Sequence, residues 1–112
     1  MRRLRIKEGV SLAGLRPEMR TALIWADKVW NQHGEELCVT CHMEGEHGVG
    51  SLHYSGYALD LRTRNFGKTE AKIVADKLRE SLPEGYDVVL ESNHIHVEYD
   101  AIKKEWADAR MA

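Results

Sequence analysis

The sequence predicts an α+β fold: a small, mostly antiparallel sheet with helices packed on one face. Three observations lead there. Two segments place apolar residues at three- and four-residue spacing, the signature of amphipathic helices. Four shorter segments alternate apolar and polar residues with the two-residue period of half-buried strands. Their order along the chain is α-β-β-α-β-β, which points to the α+β class.

Residues 16–33 are the first helix. Leu15, Met19, Ala22, Leu23, Ala26, Val29 and Trp30 fall on one stripe, Pro17 suits the first turn and Gly34 the stop. Trp25 and Trp30 lie on this helix and read as packing residues. A strand follows over 36–41, with Leu37, Val39 and Cys41 alternating against Cys38 and Thr40. After a loop carrying Gly45, Gly48 and Gly50, Tyr57 to Thr63 is the second strand. The second helix spans 69–82, with Ala71, Val74, Ala75, Leu78 and Leu82 inward and Pro83 ending it. Tyr86–Glu91 and His94–Tyr99 are two more strands, and the short Ser92-Asn93 connection makes them a hairpin. Ile102 and Trp106 suggest a short terminal helix or strap.

A chain of 112 residues is expected to form one domain, 1–112. With 43% hydrophobic and 30% charged residues it has an ordinary globular composition, and we expect a monomer. The net charge of −2 gives no whole-molecule attraction to nucleic acid or to an anionic membrane, so neither is expected as a partner. Arg2, Arg3, Arg5 and Lys7 cluster at the start and read as a solvated end. No run approaches the roughly 20 apolar residues of a membrane span. The basic start is not followed by the apolar core of a signal peptide, so synthesis and retention in the cytoplasm are expected unless another factor releases the protein. Two cysteines make no disulfide framework and are expected to be thiols. Cys38-Val-Thr-Cys41-His42 matches the haem attachment pattern C-x-x-C-H, but it falls on a predicted strand and lacks an export signal. Two semi-buried strand thiols are the simpler reading, and a haem electron carrier is a distant alternative.

The chemistry lies in three polar clusters. Ser51-Leu-His53-Tyr-Ser-Gly56-Tyr-Ala58-Leu-Asp60 sets a histidine and an aspartate seven positions apart across a Gly-containing turn. Glu91-Ser-Asn-His94 runs into His94-Ile-His96-Val-Glu98. If Ile95, Val97 and Tyr99 face the core, then His94, His96 and Glu98 share the opposite face, toward a cleft. Two imidazoles and a carboxylate form the three-ligand set of a catalytic zinc, with a fourth position left for water. That pattern points to a metal-dependent hydrolase.

Ser51-x-His53-x-x-Gly56-x-Ala58-x-Asp60-Leu61 resembles the first zinc motif of the M15 metallopeptidases, which include D-alanyl-D-alanine carboxypeptidases and phage L-alanyl-D-glutamate endopeptidases and share a fold with the hedgehog signalling domain. His94-Ile-His96-Val-Glu98 resembles the second motif of that wider superfamily. The resemblance implies a hedgehog-like fold, a Zn2+ cofactor and peptidoglycan stem peptides as substrate. His53 and Asp60 match the first two zinc ligands. The third stays open between two registers. A Glu-x-x-His register makes Glu91 catalytic and His94 the ligand. A His-x-His register makes His96 the ligand and His94 catalytic, and the shared strand face favours it. The family's usual Trp before the ligand histidine is replaced here, by Asn93 or Ile95. His94 or Glu91 is then the base. His47, Ser51 and Arg62 are candidates for oxyanion or substrate contacts, with Ser51 read chiefly as support for the loop and Arg64 as a companion to Arg62. The expected enzyme is phage- or prophage-encoded and acts on the wall after release or as a virion component. The alternative is a non-catalytic, zinc-stabilised phage domain that retains the fold.

Overall fold

The computed structural model describes residues 3–45 and 51–102. It is an α+β fold built on a five-stranded sheet. Strand β1 is Arg5–Ile6, helix α1 Pro17–Gln32, β2 Cys38–Cys41, β3 Ala58–Arg62, α2 Lys68–Ser81, β4 Tyr86–Leu90 and β5 His94–Tyr99. The sheet order is β1-β2-β3-β5-β4. β1 runs parallel to β2, and every other pairing is antiparallel.

Both helices form where the apolar periodicity predicts. Pro17 opens α1, where its missing N–H is not needed. Met19, Ala22, Ala26, Val29 and Trp30 are buried along α1, and Ala71, Val74, Ala75 and Leu78 along α2. They cover one face of the sheet, meeting Val39, Leu59, Leu61, Val88, Ile95 and Val97 in a single hydrophobic core. Trp30 also donates its indole N–H to the Arg62 carbonyl at 3.1 Å, tying α1 to the end of β3. Trp25, by contrast, does not pack inward: it is exposed, with the Lys28 ammonium over its ring. No helix among the described residues is long and apolar enough to cross a membrane.

Two further expectations are corrected. The basic side chains Arg3, Arg5 and Lys7 are exposed as expected, but the segment is not a loose end, because β1 hydrogen-bonds along β2: Arg5 N–H donates to the Leu37 carbonyl at 2.7 Å and Lys7 N–H to the Val39 carbonyl at 2.9 Å. Arg5 also meets Glu36 at 3.3 Å. A two-residue strand has too little periodicity to be read locally. In β2, Leu37 and Val39 face the core as predicted, but the register shifts between Val39 and Cys41. This bulge turns Cys41 off the core face and sets it opposite Asp60. Ile102 is exposed, its N–H bonded to Asp100 Oδ1, whereas Trp106 lies outside the described residues.

Candidate metal centre

β3 and β5 are the middle of the sheet, and their register assembles the site. Asp60 pairs with His96, Arg62 with His94 and Ala58 with Glu98. Directly opposed residues share a face, so these side chains stand together on the face away from the helices. His53 enters from the loop before β3. Its tight turn is closed by Gly56 N–H to the His53 carbonyl and Tyr57 N–H to the Leu52 carbonyl. Gly56 adopts φ +81°, and a Cβ there would stand 2.6 Å from the Gly14 carbonyl oxygen. Only glycine allows that approach, which holds residues 51–57 against the loop before α1. Ser51 Oγ accepts the His53 backbone N–H at 3.2 Å, so it braces the histidine's own backbone.

Three donor atoms converge. His53 Nε2 lies 3.2 Å from Asp60 Oδ1 and 3.2 Å from His96 Nδ1, and His96 Nδ1 lies 3.0 Å from Asp60 Oδ1. His94 Nε2 stands 3.7 Å from the same carboxylate oxygen. Exposure is graded: the side chains of His53, Asp60, His96 and His94 are 3%, 15%, 19% and 28% exposed. The cluster therefore has a buried end at His53 and an open end at His94. The open end borders a cleft of about 410 Å³, lined among others by Lys7, Cys41, Arg62 and Arg64.

The outward ring nitrogens define which lone pairs point inward. His53 donates Nδ1–H to the His42 carbonyl at 2.5 Å, His94 donates Nδ1–H to Asn93 Oδ1 at 2.7 Å, and His96 donates Nε2–H to Glu98 Oε1 at 2.8 Å. Each neutral imidazole so held presents a bare nitrogen toward Asp60. Lone pairs facing a carboxylate repel unless a cation or a proton sits between them. Without a metal, His96 is the ring whose surroundings favour holding that proton. The Asp60 hydrogen bond raises its pKa, burial opposes, and Glu98 adds to the rise. Burial works against the Asp60 charge, but the His53 and His96 rings, which donate to Asp60 when protonated on the facing nitrogen, outweigh it and hold the carboxyl well below the usual range.

Cys41, His53 and Asp60 lie close enough to hold a metal ion, with ligand atoms within 4.8 Å of one another. Cys41 Sγ is 4.0 Å from His53 Nδ1 and donates to the Glu44 carbonyl at 3.1 Å. Burial, then the nearby Asp60 and Glu44 carboxylates, pushes this thiol up to about 11. Cys41 is the semi-buried strand thiol that the sequence suggests, but the sequence reading gives it no place beside His53 and Asp60. No local signal reveals a bulge, although the C-x-x-C-H spacing did mark the segment.

The structure thus gathers His53, Asp60, His94 and His96. Glu91 is not in the cluster. It follows β4 in the hairpin connection, where its N–H donates to the His94 carbonyl, and its exposed side chain lines a separate groove with Thr63, Phe66 and Leu90. Arg62 lines the cleft, and His47 lies outside the described residues. The chain matches no family model and no curated protein.

Proposed function

We propose that this protein is a zinc-dependent hydrolase with His53, Asp60 and His96 as ligands and His94 as general base. One observation carries the reading. The ligand atoms of His53, Asp60 and His96 form a near-equilateral triangle of 3.0–3.2 Å sides. Donors about 2.0–2.1 Å from a tetrahedral zinc are about 3.3 Å apart, so the triangle matches one face of that tetrahedron. Zinc held there supplies Lewis acidity and brings the pKa of its water toward neutrality.

The remaining work falls to the chain's own residues. His94, with Nδ1 tied to Asn93, presents Nε2 at the cleft end of the cluster and accepts the proton of the attacking water. Glu98 orients His96, the His42 carbonyl orients His53, and the low pKa of Asp60 keeps it an anionic ligand. Lys7, Arg62 and Arg64 along the cleft suit a substrate bearing carboxylates. The M15-like motifs make peptidoglycan stem peptides the first substrates to try, within a hedgehog-like fold.

Cys41 favours a second reading. As a fourth protein ligand it would close the site and make the zinc structural. Loading with cobalt(II) separates the two. The hydrolase reading expects one metal per chain, no sulfur-to-cobalt charge-transfer band, and release of amino groups from purified peptidoglycan that is lost in His53→Ala. An intense near-ultraviolet band removed by Cys41→Ser, with no cleavage of any wall type, would establish the structural reading. A chain that takes up no metal would sink both.

A further inference from the structure

Beneath the cluster, a further layer of contacts ties the His42 peptide to Glu44 and Ser11, two residues that the proposed mechanism does not use. The Glu44 carboxylate accepts two backbone N–H groups, Ser11 at 2.8 Å through Oε2 and His42 at 3.0 Å through Oε1. The His42 ring is fully buried and donates Nδ1–H to the Ser11 carbonyl at 3.0 Å. Both backbone groups of Ser11 are therefore engaged by the 42–44 segment, more than 30 residues away in sequence. Between these two anchors lies the His42 peptide, whose carbonyl takes the His53 Nδ1–H.

From this arrangement we infer that Glu44 is a positioning residue for the metal centre: by clasping Ser11 and His42 it aims the His42 carbonyl at His53 and so fixes the tautomer that leaves Nε2 bare. The physical reason is that the two neutral tautomers of a histidine ring lie close in energy, so the tautomer is chosen by what the other nitrogen meets. A carbonyl accepts only, so a rigid carbonyl at Nδ1 forces the proton there. Rigidity is the requirement, and two charge-assisted hydrogen bonds accepted by one carboxylate supply it. The Cys41–Gly45 turn has no helix or ladder of its own to hold that carbonyl after β2 ends. Gly56 completes the frame, since a Cβ there would stand 3.5 Å from His42 Nε2 and against Gly14, crowding both sides of the clasp.

The inference rests on the metal reading for its consequence but not for its test. In metal-free wild type at pH 8, long-range nitrogen-15 correlation should show His53 as the Nδ1–H tautomer. Glu44→Ala should give a mixture of tautomers. In chelator competition, Glu44→Ala should bind zinc 10–100-fold more weakly, as loss of a supporting partner typically does. Glu44→Gln, which keeps one acceptor, should fall between. Far-ultraviolet circular dichroism of the metal-free variants, recorded well below their melting points, separates lost positioning from lost fold. A wild-type His53 in the Nε2–H form overturns the inference. So does a folded Glu44→Ala with unchanged tautomer and zinc affinity within twofold of wild type. Should Glu44→Ala not fold, Glu44→Gln and the wild-type tautomer decide. If wild type binds no zinc, the hydrolase reading falls while the tautomer comparison still judges the clasp.

Discussion

Asp60→Asn changes one atom at the point where three imidazoles meet. Oδ1 lies 3.0 Å from His96, 3.2 Å from His53 and 3.7 Å from His94, and it is the only formal negative charge in the proposed ligand set. Protein zinc sites bind with about 10–16 kcal/mol at neutral pH, so one of four ligands carries about 3–4 kcal/mol, or about 10²–10³ in affinity. The effect is readable as a melting shift. With free zinc about 1,000-fold above the wild-type Kd, binding stabilises the fold by about 4 kcal/mol, and at about 4–8 °C per kcal/mol for a domain near this size the expected rise is about 16–32 °C. If the variant's Kd is raised about 300-fold, about 0.9 kcal/mol remains at the same zinc concentration, and a shift of only about 3–7 °C. Scanning calorimetry of both proteins, with and without zinc, is the assay. Equal zinc-induced shifts would refute Asp60 as a ligand and with it the triangle argument. The metal-free proteins give an independent check. A depressed carboxyl pKa contributes stability above its unfolded value that is lost as pH falls through the folded one. Metal-free Asp60→Asn should therefore be less stable than wild type at neutral pH, with the gap closing only in acid.

Three more outcomes follow from the same geometry. His96 has a raised pKa, so its contribution to metal-free stability is complete below about pH 6.5 and is lost as pH rises through the folded value; melting temperature in chelator should fall over that interval, and zinc affinity should rise over it because the metal must displace the proton. A His96→Gln variant with the same pH profile as wild type would contradict this. Cys41, with its thiol pushed to about 11, should alkylate at pH 8 about 200-fold more slowly than an ordinary thiol in metal-free Cys38→Ala protein, and a normal iodoacetamide rate would show that the thiol is not so held. Gly56→Ala and Gly9→Ala both place a side chain at positive φ, which costs about 1–2 kcal/mol, but only Gly56 has a backbone oxygen in the way. Gly56→Ala should therefore lower the melting temperature by about 10 °C or more and clearly beyond Gly9→Ala, and equal effects would mean that the loop yields without cost.

Much of the fold was legible because its signals are local. The stripe from Met19 to Trp30 and that from Ala71 to Leu78 both lie on the predicted helices, which differ from Pro17–Gln32 and Lys68–Ser81 by one residue at each end. Strand β5 occupies the predicted span, and its alternation correctly set Ile95 and Val97 inward, opposite His94 and His96. Strand β1 was missed because two residues carry no period, and its existence depends on the hydrogen bonds that β2 offers. At the site, His53, Asp60, His94 and His96 could be named from spacing. Glu91, which the predicted hairpin already set before the turn and apart from the His94–His96 face, lies outside the cluster.

The amino-acid sequence by itself determined which faces are apolar, hence two helices on one side of a sheet and four polar side chains on the other. It did so because side-chain direction follows backbone period within a few residues. Tertiary structure alone decided which groups meet. The pairing of Asp60 with His96 depends on strands 36 residues apart, Cys41 reaches the site through a one-residue register shift, and His53 is aimed by a carbonyl that Glu44 and Ser11 hold in place. Register, bulges and the partners of orphaned backbone groups are settled by competition among all the chain's hydrogen bonds and contacts, and no single segment carries that information.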